Sequence, residues 1–143
     1  MSCVFCRFLT GEETDWNRKD DIVLRTERVT AFVSPRRWPE NAGNVIVVPN
    51  AHVESLESCD DALLAEIYAV MKRVAIAMRA AYGCDGTSTR QHNGEAAGQE
   101  IPHLHVHVFP RSAGDGLYAR DGEHRFAPPD ERMRYAERLR ASL

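Results

Sequence analysis

Three histidines stand at every second position in His103-Leu104-His105-Val106-His107. Side chains alternate across an extended strand, so the three imidazoles are expected in a row on one face. Leu104, Val106 and Val108 then turn to the opposite face and can pack on a core. Burial gives no reason to choose three titratable rings for one side of an apolar strand. A neutral imidazole can hold a metal or attack phosphorus near pH 7. The spacing alone leaves open a solvated sheet face, a zinc site built from alternating histidines, or a catalytic row.

The segment His92-Asn93-Gly94-Glu95-Ala96-Ala97-Gly98-Gln99 ends four residues before His103. Its glycines let backbone N–H groups come close to an anion, and Gln99 adds a neutral donor and acceptor. The segment reads either as a phosphate cradle facing a histidine nucleophile or as a tight surface turn. At the other end of the chain, Cys3-x-x-Cys6 has zinc-knuckle spacing. A tetrahedral site needs two further ligands; two partly buried thiols beside Phe5 and Phe8 are the plain alternative. A thioredoxin-like redox pair should follow a strand, whereas this pair opens the chain. Cys59 and Cys84 read as inert.

The combined pattern His-Asn-Gly-Glu-Ala-Ala-Gly-Gln-x-x-x-His-x-His-x-His-x-x-Pro-Arg strongly resembles the histidine-triad (HIT) hydrolases. Gly43-Asn44-Val45-Ile46-Val47-Val48-Pro49-x-x-His52 is similar to the central strand of that family. Cys3-x-x-Cys6 is similar to the N-terminus of its zinc-bearing bacterial branch, which is related to nucleotide phosphoramidases. Arg111-Ser112-Ala113-Gly114-Asp115 is similar to the segment that follows the triad in diadenosine-polyphosphate hydrolases. The resemblance implies that His105 attacks a nucleotide α-phosphate and that His107 contacts the phosphate and the bridging position. It implies that Ser34, Asn44, His92, Asn93, Gly98 and Gln99, with His107, bind the substrate. His92 stands where relatives usually carry Asn or Gln, and Asn44 where many carry His. It further implies one structural zinc on Cys3, Cys6, His52 and His103, which leaves His105 and His107 as the catalytic pair. Relatives pair their long helices and sheet edges, so a homodimer is implied, with Leu64 and Ile76 as interface candidates.

The elements that must position these residues are legible in outline. Residues 3–11 suit a short helix ending at Gly11. Ile22 to Leu24 and Val29 to Val33 suit two strands joined by a polar turn. Ser34 to Gly43 reads as a loop, and Arg36, Arg37 and Trp38 within it as a cover over a base or phosphate, or as plain surface. Asn44 to Val48 is a strand expected to stop at Pro49. Leu63, Ile67, Val70, Met71, Val74, Met78 and Ala81 recur at helical spacing and predict a helix over Asp61 to Tyr82. Asp60 or Asp61 can cap its start and Gly83 its end. Thr87 to Gln91 and His103 to Phe109 are expected strands, the second closed by Pro110. Asp130 to Leu143 is expected as a final helix whose alternating Arg and Glu make a solvated face. The class is α+β: an antiparallel sheet of about five strands with helices on one face, one helix long and the terminal ones shorter.

A chain of 143 residues suits one domain, here 1–143. Its net charge of -3, from 18 basic and 21 acidic residues, gives no basic footprint for general nucleic-acid binding. No apolar run is long enough for a membrane, and the N-terminus lacks the apolar stretch of a signal peptide, so a soluble protein in a reducing cytoplasm is expected. The expected activity is that of a nucleotide hydrolase or transferase. It would attack the α-phosphate of a nucleoside phosphoramidate or dinucleoside polyphosphate, with a small purine nucleotide as partner and no magnesium motif. A non-catalytic zinc- and nucleotide-binding module is the alternative. A hydrolase with all three triad histidines on zinc would leave Cys3 and Cys6 without a role.

Overall fold

Val29–Val33 and Val45–Pro49 are buried along their whole length, so both faces of each strand need a cover. The structure, a computed structural model, describes residues 2–143; Met1, the first residue of the expected domain, lies outside the described residues. In chain order the elements are α1 (Val4–Leu9), β1 (Ile22–Arg25), β2 (Val29–Val33), β3 (Arg36–Arg37), β4 (Val45–Pro49) and α2 (Asp61–Tyr82). There follow β5 (Gly86–Arg90), β6 (Val106–Arg111), β7 (Arg125–Phe126) and α3 (Pro129–Ser142). Five strands form one antiparallel sheet in the order β1-β2-β4-β6-β5, and β3 pairs with β7 in a separate ribbon.

The long helix has the expected bounds. The Asp60 carboxylate accepts the Leu63 N–H at 2.8 Å, and Gly83 closes the helix with φ +66°, a left-handed cap that favours glycine. The apolar stripe of α2 packs on Ala31, Val33, Val45, Val47, Val106 and Val108. α3 adds Ala136 and Leu139 to the same core. Phe5, Phe8 and Leu9 of α1 cover the other face, against Phe32, Ile46 and Val48. The helices therefore lie on both faces of the sheet and not on one. The reason is the double-sided burial of β2 and β4.

Four further expectations change. β6 begins at Val106, because His103 and Leu104 form no ladder. The His103 N–H bonds the Ile101 carbonyl and the Leu104 N–H bonds the Val53 carbonyl. β4 ends at Pro49 as expected, but Pro110 does not close β6, which runs on to Arg111. Pairing with β4 reaches only to Val108, so the imide of Pro110 interrupts no ladder on that side. Trp38 is no surface residue; it is buried with Phe109 and Leu117. Finally, Arg132 of α3 is fully buried and pairs with Asp21 at 3.0 Å, so α3 is not solvated on its whole charged face.

Candidate active site and metal centre

α1 brings two thiols to the end of β4 and to the turn before β6. Cys3 Sγ lies 3.4 Å from His103 Nδ1, and Cys6 Sγ lies 3.3 Å from His52 Nδ1 and 3.6 Å from His103 Nδ1. All four ligand atoms lie within 4.8 Å of one another. A tetrahedral zinc with Zn–S and Zn–N bonds of ordinary length separates its S and N ligands by roughly 3.6 Å, so the four residues fit that ion. The second ring nitrogen of His103 supports this. Its Nε2–H donates to the Pro49 carbonyl at 2.9 Å, which fixes the tautomer and turns the Nδ1 lone pair toward the thiols. His103 is fully buried, and burial pushes its pKa down, keeping the ring neutral as a ligand must be.

The same strand end carries the other two histidines into a cleft of about 750 Å³. The His105 Nδ1–H donates to the His103 carbonyl at 2.8 Å. A neutral imidazole so held keeps its Nε2 lone pair free. Burial lowers the pKa of His105 and outweighs that hydrogen bond, which favours the charged form. Phe5 of α1 meets both His103 and His105 edge-on, with centroids 5.6 and 5.4 Å away. His107 stands 5.5 Å from His105 and stacks on Phe109 at 5.5 Å. Burial, with His105 and Arg90 nearby, pushes its pKa down to about 3. His107 Nδ1 is buried with no hydrogen-bond partner among the described residues.

The cleft wall has an apolar flank of Val4, Phe5, Ile46 and Ile101, and a second flank in which Trp38 contacts Arg90 and His124 and Arg90 bonds Asp121. Of the residues expected to bind substrate, Ser34, His92, Gly98 and His107 line the cleft. Gly98 has φ +93°, and a Cβ there would lie 3.9 Å from the His92 ring. Three others do not line it. Gln99 Oε1 accepts the Gly94 N–H, and its Nε2 donates to the Glu54 and Ile101 carbonyls. Asn93 Oδ1 accepts from Leu56 N–H and from Gln91. Asn44 is buried, and neither its oxygen nor its nitrogen has a partner among the described residues. The Gly-rich segment is thus a turn braced by Gln99 and Asn93 that presents Gly98 and His92 to the cleft.

Sequence reasoning missed Arg90, Asp121 and His124. Arg90 had a signal: it ends a strand, and in the sheet it pairs with His107. Asp121 and His124 had none, because they arrive through the return of the C-terminal segment. Arg37, expected in the cover, pairs instead with Glu131 of α3 at 3.3 Å.

The HIT domain family model matches residues 16–114. A HIT-like protein of Methanocaldococcus jannaschii is 35% identical over 130 residues, spanning 90% of this chain and 94% of that one. An adenylylsulfatase of Arabidopsis thaliana is 28% identical over 127 residues, 86% of this chain and 59% of that one. A zinc-bound histidine triad family protein of Mycobacterium smegmatis has a similar structure, with TM-score 0.80, 29% identity and coverage of 99% and 93% of the two chains.

Proposed function

The chain belongs to the HIT domain family, and on that premise we propose that it is a nucleotide hydrolase or transferase acting at an α-phosphate. The observation that carries the reading is the hold on His105: its Nδ1–H is tied to a backbone carbonyl at 2.8 Å while its ring lines the cleft. The Nε2 lone pair attacks phosphorus. The P–N or P–O–P bond breaks, and the departing group leaves with the electron pair, an amine taking up a proton from solvent as it goes. Water then attacks the nucleotidyl group on His105; the ring leaves with its electron pair and the proton passes to solvent. Splitting the reaction in this way replaces one difficult displacement by two easier ones.

His107 contributes a neutral ring at the phosphate. Ser34, His92 and the Gly98 backbone serve the nucleotide from the cleft wall, and the apolar flank suits a purine. The Arabidopsis relative is an adenylylsulfatase, and an adenylyl group is a nucleotide joined through its α-phosphate. Cys3, Cys6, His52 and His103 hold one zinc. That ion supplies folding free energy and takes part in no chemical step. The chain works as one domain in a reducing cytoplasm, where its four cysteines stay free. No helix among the described residues is long and apolar enough to cross a membrane.

The test is mass spectrometry of enzyme quenched during turnover of an AMP amidate and of a diadenosine polyphosphate. A nucleotidyl group on the peptide that contains His105 is expected. Tight AMP binding with neither adduct nor turnover would leave the chain a zinc- and nucleotide-binding module. A homodimer is also proposed, because Ile76 and Tyr68 of α2 are each 60% exposed; Leu64, in contrast, packs against the core. Light scattering at micromolar protein should give twice the chain mass, and a monomer mass contradicts it.

A further inference from the structure

Arg90 is the last residue of β5 and lies in register with His107 of β6. Its guanidinium carbon is 5.2 Å from the Trp38 ring centroid and 5.1 Å from that of Phe109. Nη1 donates to Asp121 Oδ1 at 2.7 Å, and the Trp38 Nε1–H donates to the Asp121 backbone carbonyl at 2.9 Å. The Arg90 side chain is 19% exposed. Two aromatic rings and one carboxylate therefore hold the guanidinium in a single place. Arg90 Nε is buried with no hydrogen-bond partner among the described residues, and Arg90 lines the cleft.

The cleft needs such a group. A phosphoryl group brings negative charge to His105 and His107, and a neutral ring meets it only with a dipole. Gln99 is committed to Gly94, Glu54 and Ile101. The other guanidinium at the cleft, Arg36, is paired with Glu100 at 2.8 Å and its side chain is 43% exposed, where solvent screens it. Arg90 is the better-fixed and better-shielded cation. Asp121, which holds it, lies outside residues 16–114, the part matched by the family.

We infer that Arg90 is the phosphate-binding cation of this cleft and donates from its guanidinium to a non-bridging oxygen of the α-phosphoryl group. This rests on the nucleotide reading above and adds a residue to it. The apolar flank takes the nucleoside, and Arg90 takes the charge.

The test is calorimetry of AMP and of adenosine with wild-type protein, Arg90→Gln and Arg90→Lys. Wild type is expected to bind AMP more tightly than adenosine. Arg90→Gln should weaken AMP binding by about tenfold to a hundredfold, the scale of a hydrogen bond to a charged group, and should leave adenosine affinity unchanged. If Arg90→Gln loses both ligands through a loosened fold, Arg90→Lys decides. Recovery of the AMP preference supports the assignment, and its absence overturns it. A wild type without the preference, or an Arg90→Gln variant that keeps it, also overturns the assignment. The enzymatic reading fails separately: a wild type that prefers AMP through Arg90 but forms no His105 adduct retains this site and loses the chemistry.

Discussion

His107 faces Arg90 across the strand pair and stacks on Phe109, with Trp38 at 6.1 Å. Burial is the main reason its pKa falls to about 3, with His105 and Arg90 adding to it. The unfolded ring titrates near ~6.5. Between these values the unfolded chain binds a proton that the folded ring refuses, so stability falls as pH drops from ~6.5 toward 3 and is unaffected above that window. Histidine-resolved NMR should show a neutral His107 from pH 8 down to pH 5. A titration midpoint above 5 for this ring would contradict the placement. The His107→Asn variant should also lose stability less steeply on acidification than wild type, as followed by urea unfolding at several pH values.

At the scale of elements, the C-terminal arm is tied down by one buried pair. Arg132 of α3 donates to Asp21 at 3.0 Å and to the Ala127 carbonyl, with 0% and 1% of the two side chains exposed. Burial raises the pKa of Asp21 despite the guanidinium beside it. Removing only the arginine strands a buried carboxyl group. Arg132→Leu is therefore expected to cost about 3–5 kcal/mol by urea unfolding, and the Asp21→Asn, Arg132→Leu double variant clearly less. Equal losses in the two would contradict the pair. This arm was also the least legible part of the sequence. The 22 residues of α2 announce themselves by period and caps, and β2 and β4 by runs rich in β-branched and apolar residues. β3 and β7 are two residues each, too short for any periodicity. A buried Arg132 in a charge-rich helix looks like its solvated neighbours until Asp21 is seen beside it. The same holds for the site. The histidine and cysteine spacings are local and could be read directly. Arg90, Asp121 and His124 meet only through strand register and the folding back of residues 121–126. Gln99 and Asn93 were legible as polar loop residues, but their hydrogen bonds to Gly94, Glu54 and Leu56 were not.

Across the whole molecule, the metal centre and the cleft share parts. His103 belongs to the proposed zinc site and also supplies the carbonyl that orients His105, and Phe5 meets both rings edge-on. Elemental analysis of protein purified without chelator should find one zinc per chain. Stripping it, or replacing Cys3 and Cys6 by Ser together, should lower the thermal midpoint by at least about 5 °C, the equivalent of roughly 1–2 kcal/mol for a domain of this size. Full zinc retention by the double Ser variant would refute the ligand set. The fold, the proposed zinc site and the cleft converge on one atom, Nε2 of His105, and the most direct test is the steady-state turnover of an AMP amidate by His105→Asn. The account predicts loss of nearly all activity with AMP binding and thermal midpoint close to wild type. Retention of more than about a tenth of wild-type turnover, a loss of only ~1.4 kcal/mol in transition-state stabilisation, would contradict the covalent role of His105.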